Sequence, residues 1–363
     1  MTHALHRNAP KHTPRQTSTV AGTHPADAAG GRAPNAAAAR YAPACAFNTS
    51  NPVHGKVIKS TGSVYTVRTD GGEAVDCKVK GNFRLRGIRS TNPVAVGDGV
   101  TITQPRDAQP AYITEVDERR NYIVRKASNL SKQSHILAAN VDLALLVVTL
   151  ARPETSTTFI DRFLASAEAY RVPVCIAFNK VDELDDEEKA RLELLCHIYR
   201  SMDYQCLPMS ALNGTGIEPL QHLLQGQTTL LAGHSGVGKS TLLNTLVPQA
   251  HARTAQVSEA HGTGMHTTTY SELYELPQGG ALIDIPGIKG FGTFNMEPEE
   301  VAHYFRDIFA LARGCRFSNC THTHEPGCAV MQALEELKLA PSRYTSYLSM
   351  LEDKEEGKYR AAY

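Results

Sequence analysis

No stretch of this chain approaches the roughly 20 consecutive apolar residues that a membrane-spanning helix needs. The longest apolar run is short, from Leu143 to Ala151. The start of the sequence also lacks the continuous apolar core of a secretory signal. Net charge is missing too: Lys+Arg and Asp+Glu are both 37 among 363 residues, so only local charge can point to partners. Cysteine, at eight residues, is too sparse for a disulfide scaffold of this length. With 42% hydrophobic and 20% charged residues, a globular chain of two or three domains with no membrane partner is the expectation.

Residues 1–52 are rich in Ala, Pro, Thr and His and show no helical or strand period. One acid, Asp27, stands against Arg7, Lys11, Arg15, Arg32 and Arg40. Such a composition buries too little apolar surface to offset the entropy of ordering, so a disordered basic tail is expected. A plain solvated tail, a nucleic-acid-binding arm and an organelle-targeting segment all fit it. Residues 53–117 read as all-β. The runs Val53–Lys59, Val64–Arg68, Ala74–Val79, Val100–Gln104 and Ala111–Val116 are separated by glycine-rich turns. Five short strands suit a small barrel of the oligonucleotide/oligosaccharide-binding (OB) type. Its segment Lys78–Arg89 is basic and carries Phe83, a pattern that fits either RNA contact or an ordinary solvated face.

From residue 141 the pattern changes to strand-helix alternation. Val141–Ala151, Val172–Phe178, Gln205–Met209 and Thr228–Ala232 read as strands. Phe159–Tyr170 and Glu187–Met202 read as helices, and another starts at Leu220. Such alternation predicts a parallel sheet covered on both faces.

Gly233-His234-Ser235-Gly236-Val237-Gly238-Lys239-Ser240 fits G-x-x-x-x-G-K-S, after an apolar strand and before the helical run Thr241–Leu246. Glycines let backbone N–H groups converge on phosphates, and the helix N-terminus adds partial positive charge. Lys239 is then the β/γ-phosphate cation and Ser240 a magnesium ligand. Asn179-Lys180-Val181-Asp182 also follows a strand. A carboxylate there accepts from guanine N1–H and N2–H₂, donors that adenine lacks. Ser210-Ala211 would complete the base pocket through backbone N–H. Asp284-Ile-Pro-Gly287 follows a strand as well, with Asp284 expected at magnesium through water and Gly287 N–H at the γ-phosphate. Upstream, Gly262–Thr269 holds Met265-His266-Thr267-Thr268-Thr269. Thr268 is the candidate magnesium threonine of the three, and the run also suits the start of a strand at Tyr270–Tyr274. Ile288 occupies the position where many GTPases orient water with glutamine. Hydrolysis by the chain alone should therefore be slow, with His266 the nearest polar candidate for catalysis or a plain loop residue.

The order is permuted: N-K-V-D and S-A precede the phosphate loop. The same site can still assemble, because its pieces sit on strand ends that meet in space. Further on, Cys315-x₄-Cys320-x-His322-x₅-Cys328 places three thiolates and an imidazole at the spacing of a closed, structural zinc site in a reducing compartment. His324 is the rival for the fourth place. The helices Ala329–Leu339 and Ser342–Leu351 follow. Arg343, Tyr344 and Tyr347 either face RNA or pack against the metal loop.

With the permuted order, G-H-S-G-V-G-K-S, H-T-T-T, D-I-P-G, the cysteine-histidine run and Ser342-Arg-Tyr-Thr-Ser-Tyr347, residues 53–351 resemble the small ribosomal subunit biogenesis GTPase RsgA (YjeQ) family. Arg119-Arg120-Asn121-Tyr122 and Ala138-Ala-Asn-Val-Asp142 resemble that family's barrel–GTPase junction. The resemblance implies an α/β fold: a circularly permuted P-loop GTPase domain at 118–297, with an N-terminal OB-type barrel at 53–117 and a C-terminal helical zinc-binding domain at 298–363. It implies a cytoplasmic, monomeric GTP hydrolase that binds GTP and GDP, the small ribosomal subunit and its rRNA, and is stimulated by that subunit. Carried onto this sequence, the nucleotide site is Asn179–Asp182 and Gly233–Thr241, and zinc falls to Cys315, Cys320, His322 and Cys328. His266 matches the family's histidine. Two positions depart: Met265 where Arg is usual, and Ile285 where Thr is usual. An RNA-binding module without turnover, or a phosphate-loop ATPase or kinase, are the other classes; N-K-V-D argues against the last.

Overall fold

The computed structural model describes residues 52–79, 93–103, 110–126, 134–250, 271–285 and 298–355. The expected tail apart from Pro52, Phe83 with most of the basic segment, Met265, His266, Thr268, Gly287 and Ile288 lie outside them.

Five strands open the fold: β1 (Val53–Ser60), β2 (Tyr65–Thr69), β3 (Ala74–Val79), β4 (Gly99–Thr103) and β5 (Ala111–Val116). Alternate residues point inward, so Val57, Tyr65, Val67, Cys77, Val100, Ile102 and Ile113 share one core. The antiparallel run β1-β2-β3 continues through a parallel β3–β5 pair, and β4 then pairs with both β5 and β1. This closes the barrel and removes its edges. Each strand starts within one residue of its sequence reading. A hairpin that the sequence reading did not anticipate follows, β6 (Tyr122–Lys126) and β7 (Ser134–Ala139).

The second sheet contains β8 (Leu143–Val148), β9 (Val174–Phe178), β10 (Gln205–Pro208), β11 (Thr228–Ala232), β12 (Ser271–Glu275) and β13 (Ala281–Asp284), in spatial order β10-β9-β8-β11-β13-β12. Five of these strands are parallel; β12 runs antiparallel to β13, correcting the all-parallel expectation. Every residue of β8 is buried. Its Ala144, Leu146 and Val148 face one core, with α1 (Thr157–Ala169) and α2 (Asp186–Arg200). Leu143, Leu145 and Val147 face the other, with α3 (Ile217–Leu224) and α4 (Lys239–Leu246). The sheet is thus covered on both faces, as a parallel sheet must be. β8 stops at Val148, short of the expected Ala151, because the Thr149 hydroxyl turns the chain by donating to the Pro153 carbonyl at 2.5 Å.

The free side of β12 pairs with β1, Lys59 opposite Glu272 and Ser60 opposite Ser271, so the barrel extends the sheet. Lys59–Glu272 (3.4 Å) and Arg68–Glu275 ion pairs flank the seam. At the other junction Arg119 grips buried Asp98 through Nε and Nη2, both at 2.7 Å. Asn121 exchanges two 2.8 Å hydrogen bonds with the Val141 backbone. Gly97 (φ +96°) lies so near the Ala139 carbonyl that a Cβ would come within 2.1 Å of it. Only glycine fits there.

The C-terminal part contains α5 (Pro298–Val301), α6 (Arg306–Ala312), α7 (Ala329–Glu335) and α8 (Pro341–Glu355). Its core, with Val301, Phe305, Ile308, Val330, Leu339, Tyr347 and Met350, takes in Ala165 of α1. α7 ends before the expected Leu339. Leu337 takes a left-handed turn (φ +57°), and the Lys338 and Leu339 N–H groups donate back to the Ala333 carbonyl. That turn brings Leu339 into the core.

Candidate nucleotide site and metal cluster

The sheet gathers the described motifs, N-K-V-D, S-A, the phosphate loop and Asp284, at the carboxyl ends of its strands, where open α/β sheets hold ligands. The phosphate loop joins β11 to α4, and Gly233, Gly236 and Gly238 all have positive φ (139°, 88° and 96°). A Cβ on Gly233 would meet the Val147 carbonyl at 2.4 Å, so this glycine is required by close approach as well as by φ. Val237 is buried beneath the loop, while Ser235 is exposed and Ser240 and Thr241 are half-buried at the start of α4. Lys239 Nζ donates to the Gly233 and His234 carbonyls, each at 2.7 Å. Burial pushes its pKa down to about 8, against the pull of the Asp284 carboxylate nearby. Asp284 itself is buried at the end of β13.

Asn179 is the strut of the site. Its Nδ2 donates to the Val237 carbonyl at 2.8 Å, and its Oδ1 accepts from the Ala211 N–H at 2.9 Å. One side chain therefore ties N-K-V-D, the phosphate loop and S-A together. The Val181 N–H adds a bond to the Met209 carbonyl at 3.2 Å. Lys180 adopts φ +65°, and Asp182 is exposed. The Ser210 N–H is engaged by the Thr215 carbonyl, and the Ser210 hydroxyl accepts from the Leu212 and Asn213 N–H groups. The Ser210 N–H and hydroxyl and the Ala211 N–H are thus engaged within the protein, by their own loop and by Asn179. Sequence reasoning missed the segment after β8, whose Arg152 and Thr155 reach Lys180 and His234. No motif marks it.

The metal cluster assembles as its spacing predicts. Ligand atoms of Cys315, Cys320, His322 and Cys328 lie within 4.8 Å of one another. His322 Nδ1 is 3.5 Å from the sulfurs of both Cys315 and Cys328, which are 3.9 Å apart. Zinc bonds of about 2.3 Å to sulfur and 2.0–2.1 Å to nitrogen give tetrahedral edges of roughly 3.5–3.8 Å. The donor set therefore fits one tetrahedral ion. His324, the rival ligand, is exposed and hydrogen-bonded to the Thr323 hydroxyl instead. Glu325 ties the loop by accepting from Thr321 N–H and Oγ1 and from the Thr323 and His324 N–H groups. Burial opposes its charge, but these donors outweigh burial and hold its carboxyl well below the usual carboxylate range.

α8 settles the alternative left by its sequence. Arg343 and Tyr347 are buried, so neither is presented to RNA. Tyr344 donates to the His322 carbonyl and Tyr347 to the Thr321 carbonyl, both at 2.8 Å. Arg343 reaches Asp161 of α1 at 2.6 Å and both oxygens of Asp307 at 3.0 Å. Burial works against its charge and is outweighed by Asp161 and Asp307.

Comparison with known proteins agrees with this geometry. A family model described as RsgA GTPase matches residues 116–294, and one described as RsgA N-terminal domain matches 54–113. The small ribosomal subunit biogenesis GTPase RsgA of Bacteroides fragilis is 61% identical over 309 residues, covering 85% of this chain and 99% of that protein. The chain belongs to the RsgA GTPase family. Another family member, small ribosomal subunit biogenesis GTPase RsgA 2 of Bacteroides thetaiotaomicron, is 58% identical over the same shares. Among solved structures, YjeQ from Thermotoga maritima matches with a TM-score of 0.65 and 34% identity, over 84% of this chain and 98% of that one. YloQ, described as a circularly permuted GTPase, matches at 0.64 and 29%, over 87% and 100%. The permuted order read from the motifs is thus a property of the family's fold. Among the described residues, no helix is long and apolar enough to cross a membrane.

Proposed function

We propose that this protein hydrolyses GTP to GDP and phosphate on the small (30S) ribosomal subunit, binds its 16S rRNA, acts late in its maturation, and is stimulated by it. The observation that carries this reading is Asn179 joining the guanine motif to a phosphate loop, in a chain 61% identical to a protein named for that role. Asp182 reads the guanine edge, with Lys180 over the base and Ser210 and Ala211 as its backbone wall. The Gly233–Thr241 backbone cradles the phosphates, Lys239 leaves its carbonyls for the β/γ-phosphates, and the Gly287 N–H senses the γ-phosphate. Ser240 and Thr268 would hold magnesium, with Asp284 acting on it through water, and the ion would supply charge neutralisation on the phosphates. Ile288 offers the attacking water no orienting group, so His266, brought into register by the subunit, is the candidate for that task. Cys315, Cys320, His322 and Cys328 would hold zinc, which would supply a structural cross-link and not chemistry.

The domain limits that go with this reading are 1–52 tail, 53–117 RNA-binding barrel, 118–297 GTPase and 298–363 metal-binding helices, in a cytoplasmic monomer. The test is phosphate release with and without purified small subunits. Strong stimulation of a slow basal rate is expected, and a fast basal rate unchanged by subunits would refute the reading. Asp182→Asn should shift preference from guanine to xanthine nucleotides, read by competition binding.

A further inference from the structure

The loop between β8 and α1 belongs to none of the motifs, yet it touches both halves of the nucleotide site. It closes on itself: Thr155 N–H donates to the Thr149 carbonyl at 2.8 Å, and Thr149 N–H to Thr155 Oγ1 at 3.1 Å. On the base side, Lys180 Nζ donates to the Arg152 carbonyl at 2.6 Å. The Arg152 guanidinium donates to the Glu183 carbonyl at 2.6 Å and to the Glu188 carboxylate at 3.0 Å. Glu188 also completes the N-terminal cap of α2, accepting from the Asp185 N–H. Arg152 thus fastens the loop to the segment that carries Lys180 and Asp182.

On the phosphate side, Thr155 Oγ1 is 2.6 Å from His234 Nε2. His234 Nδ1 lies 3.0 Å from the Ser235 carbonyl, which can only accept. The proton is therefore assigned to Nδ1, and Nε2 accepts from the Thr155 hydroxyl. Burial lowers the His234 pKa, which favours this neutral form. The His234 ring also stands edge-on to Phe159 of α1, centroids 5.5 Å apart. Pro153 covers Gly236, where a Cβ would come within 3.1 Å of its Cδ.

We propose that Arg152–Thr155 is a strap that sets the spacing between the base and phosphate subsites, with Arg152 positioning Lys180 and Thr155 positioning the phosphate loop through His234. The inference rests on the nucleotide-site reading above and deepens it. A nucleoside diphosphate has a limited reach from base to β-phosphate. Holding both subsites at that reach before binding lowers the ordering cost that binding must meet. The ligand class favoured by the strap is a guanine nucleotide with at least two phosphates. Arg152 and Thr155 are positioning residues, since each acts through another side chain.

The experiment compares GDP with GMP on the full chain, each competed against a fluorescent GDP. GMP fills the base subsite but has no β-phosphate, so the two probes separate the ends of the strap. Thr155→Val removes the hydroxyl and keeps the shape. It should weaken GDP about tenfold, the scale of one buried hydrogen bond lost with its partner left unpaired, and leave GMP unchanged. Thr155→Ser should restore GDP binding. Arg152→Ala should weaken GDP and GMP by the same several-fold factor. Should Thr155→Val fail to fold, His234→Phe removes the same bond from the other side, keeps a ring against Phe159, and carries the same expectation. Unchanged GDP affinity in Thr155→Val, or equal losses for GDP and GMP, would overturn the strap. Wild-type protein that binds neither probe would overturn the nucleotide-site reading itself, a distinct result.

Discussion

The nucleotide site and the metal cluster are built in opposite ways. The nucleotide site draws on strand ends far apart in the chain, joined by Asn179 across Val237 and Ala211. Its framework is the sheet, with a buried core on each face, and Lys239 already has partners before any ligand arrives. The metal cluster takes all four ligands from one short loop, Cys315 to Cys328, whose side chains between the ligands are mostly exposed. Such a loop has little apolar burial of its own, so a metal bound there would be coupled to its folding. The surrounding helices differ from the loop, because they share a core with α1 and carry the buried Arg343 cluster. The comparison teaches that one site is framed by a sheet with its own cores, while the other is a short loop that a bound metal would cross-link.

Breaking the nucleotide side should give the largest effect. Lys239→Ala or Ser240→Ala should cut turnover by at least about 10²–10³, the scale of losing one preorganised charge stabiliser, while leaving the metal content of the Cys/His cluster intact. Phosphate release and metal analysis on the same sample check both halves. The mount of the metal unit comes next. Arg343→Ala leaves Asp161 buried without its cation, which should cost about 3–5 kcal/mol of stability in denaturant unfolding. Arg343→Lys should recover only part, because one ammonium cannot match the fork that spans Asp161 and Asp307.

A smaller effect follows from the Lys239 pKa of about 8 in the ligand-free site. Phosphate binding needs the charged amine. Below pH 8 the amine is already protonated, and above it binding must first take up a proton. GDP affinity should therefore fall as pH rises through about 8, roughly tenfold between pH 7 and pH 9. The sign also covers stability: the buried charge penalises the ligand-free fold below about pH 8, and that penalty fades as pH rises towards the ordinary lysine pKa. Affinity that is flat across this window would show that the amine is not desolvated before binding.

Much of this was legible in the sequence wherever a local rule governs. The barrel strands announce themselves by alternation and glycine turns. The phosphate loop is written in contiguous residues, and so are the metal ligands. What was not legible depends on tertiary neighbours. Arg343 and Tyr347 read equally as RNA-facing or as packed against the metal loop, and only Asp161 and the Thr321 carbonyl, distant in the chain, decide for packing. Arg152 and Thr155 have no motif because they bind other residues that have one. The β1–β12 pairing joins strands more than two hundred residues apart, and nothing local encodes it. Ser210-Ala211 was found by its place after a strand, but its hydrogen bonds go to the loop and to Asn179.

The contrast between the two sites is tested most directly by removing the metal alone. Cys320→Ser, or chelation of the wild-type chain, should leave fluorescent-GDP affinity within about twofold, since the sheet core and Asn179 do not depend on the cluster. In the same preparation, stimulation of phosphate release by small subunits should be lost. Equal loss of GDP affinity would contradict the account, because the two sites would then fold as one unit. Full stimulation without the metal would contradict it from the other side.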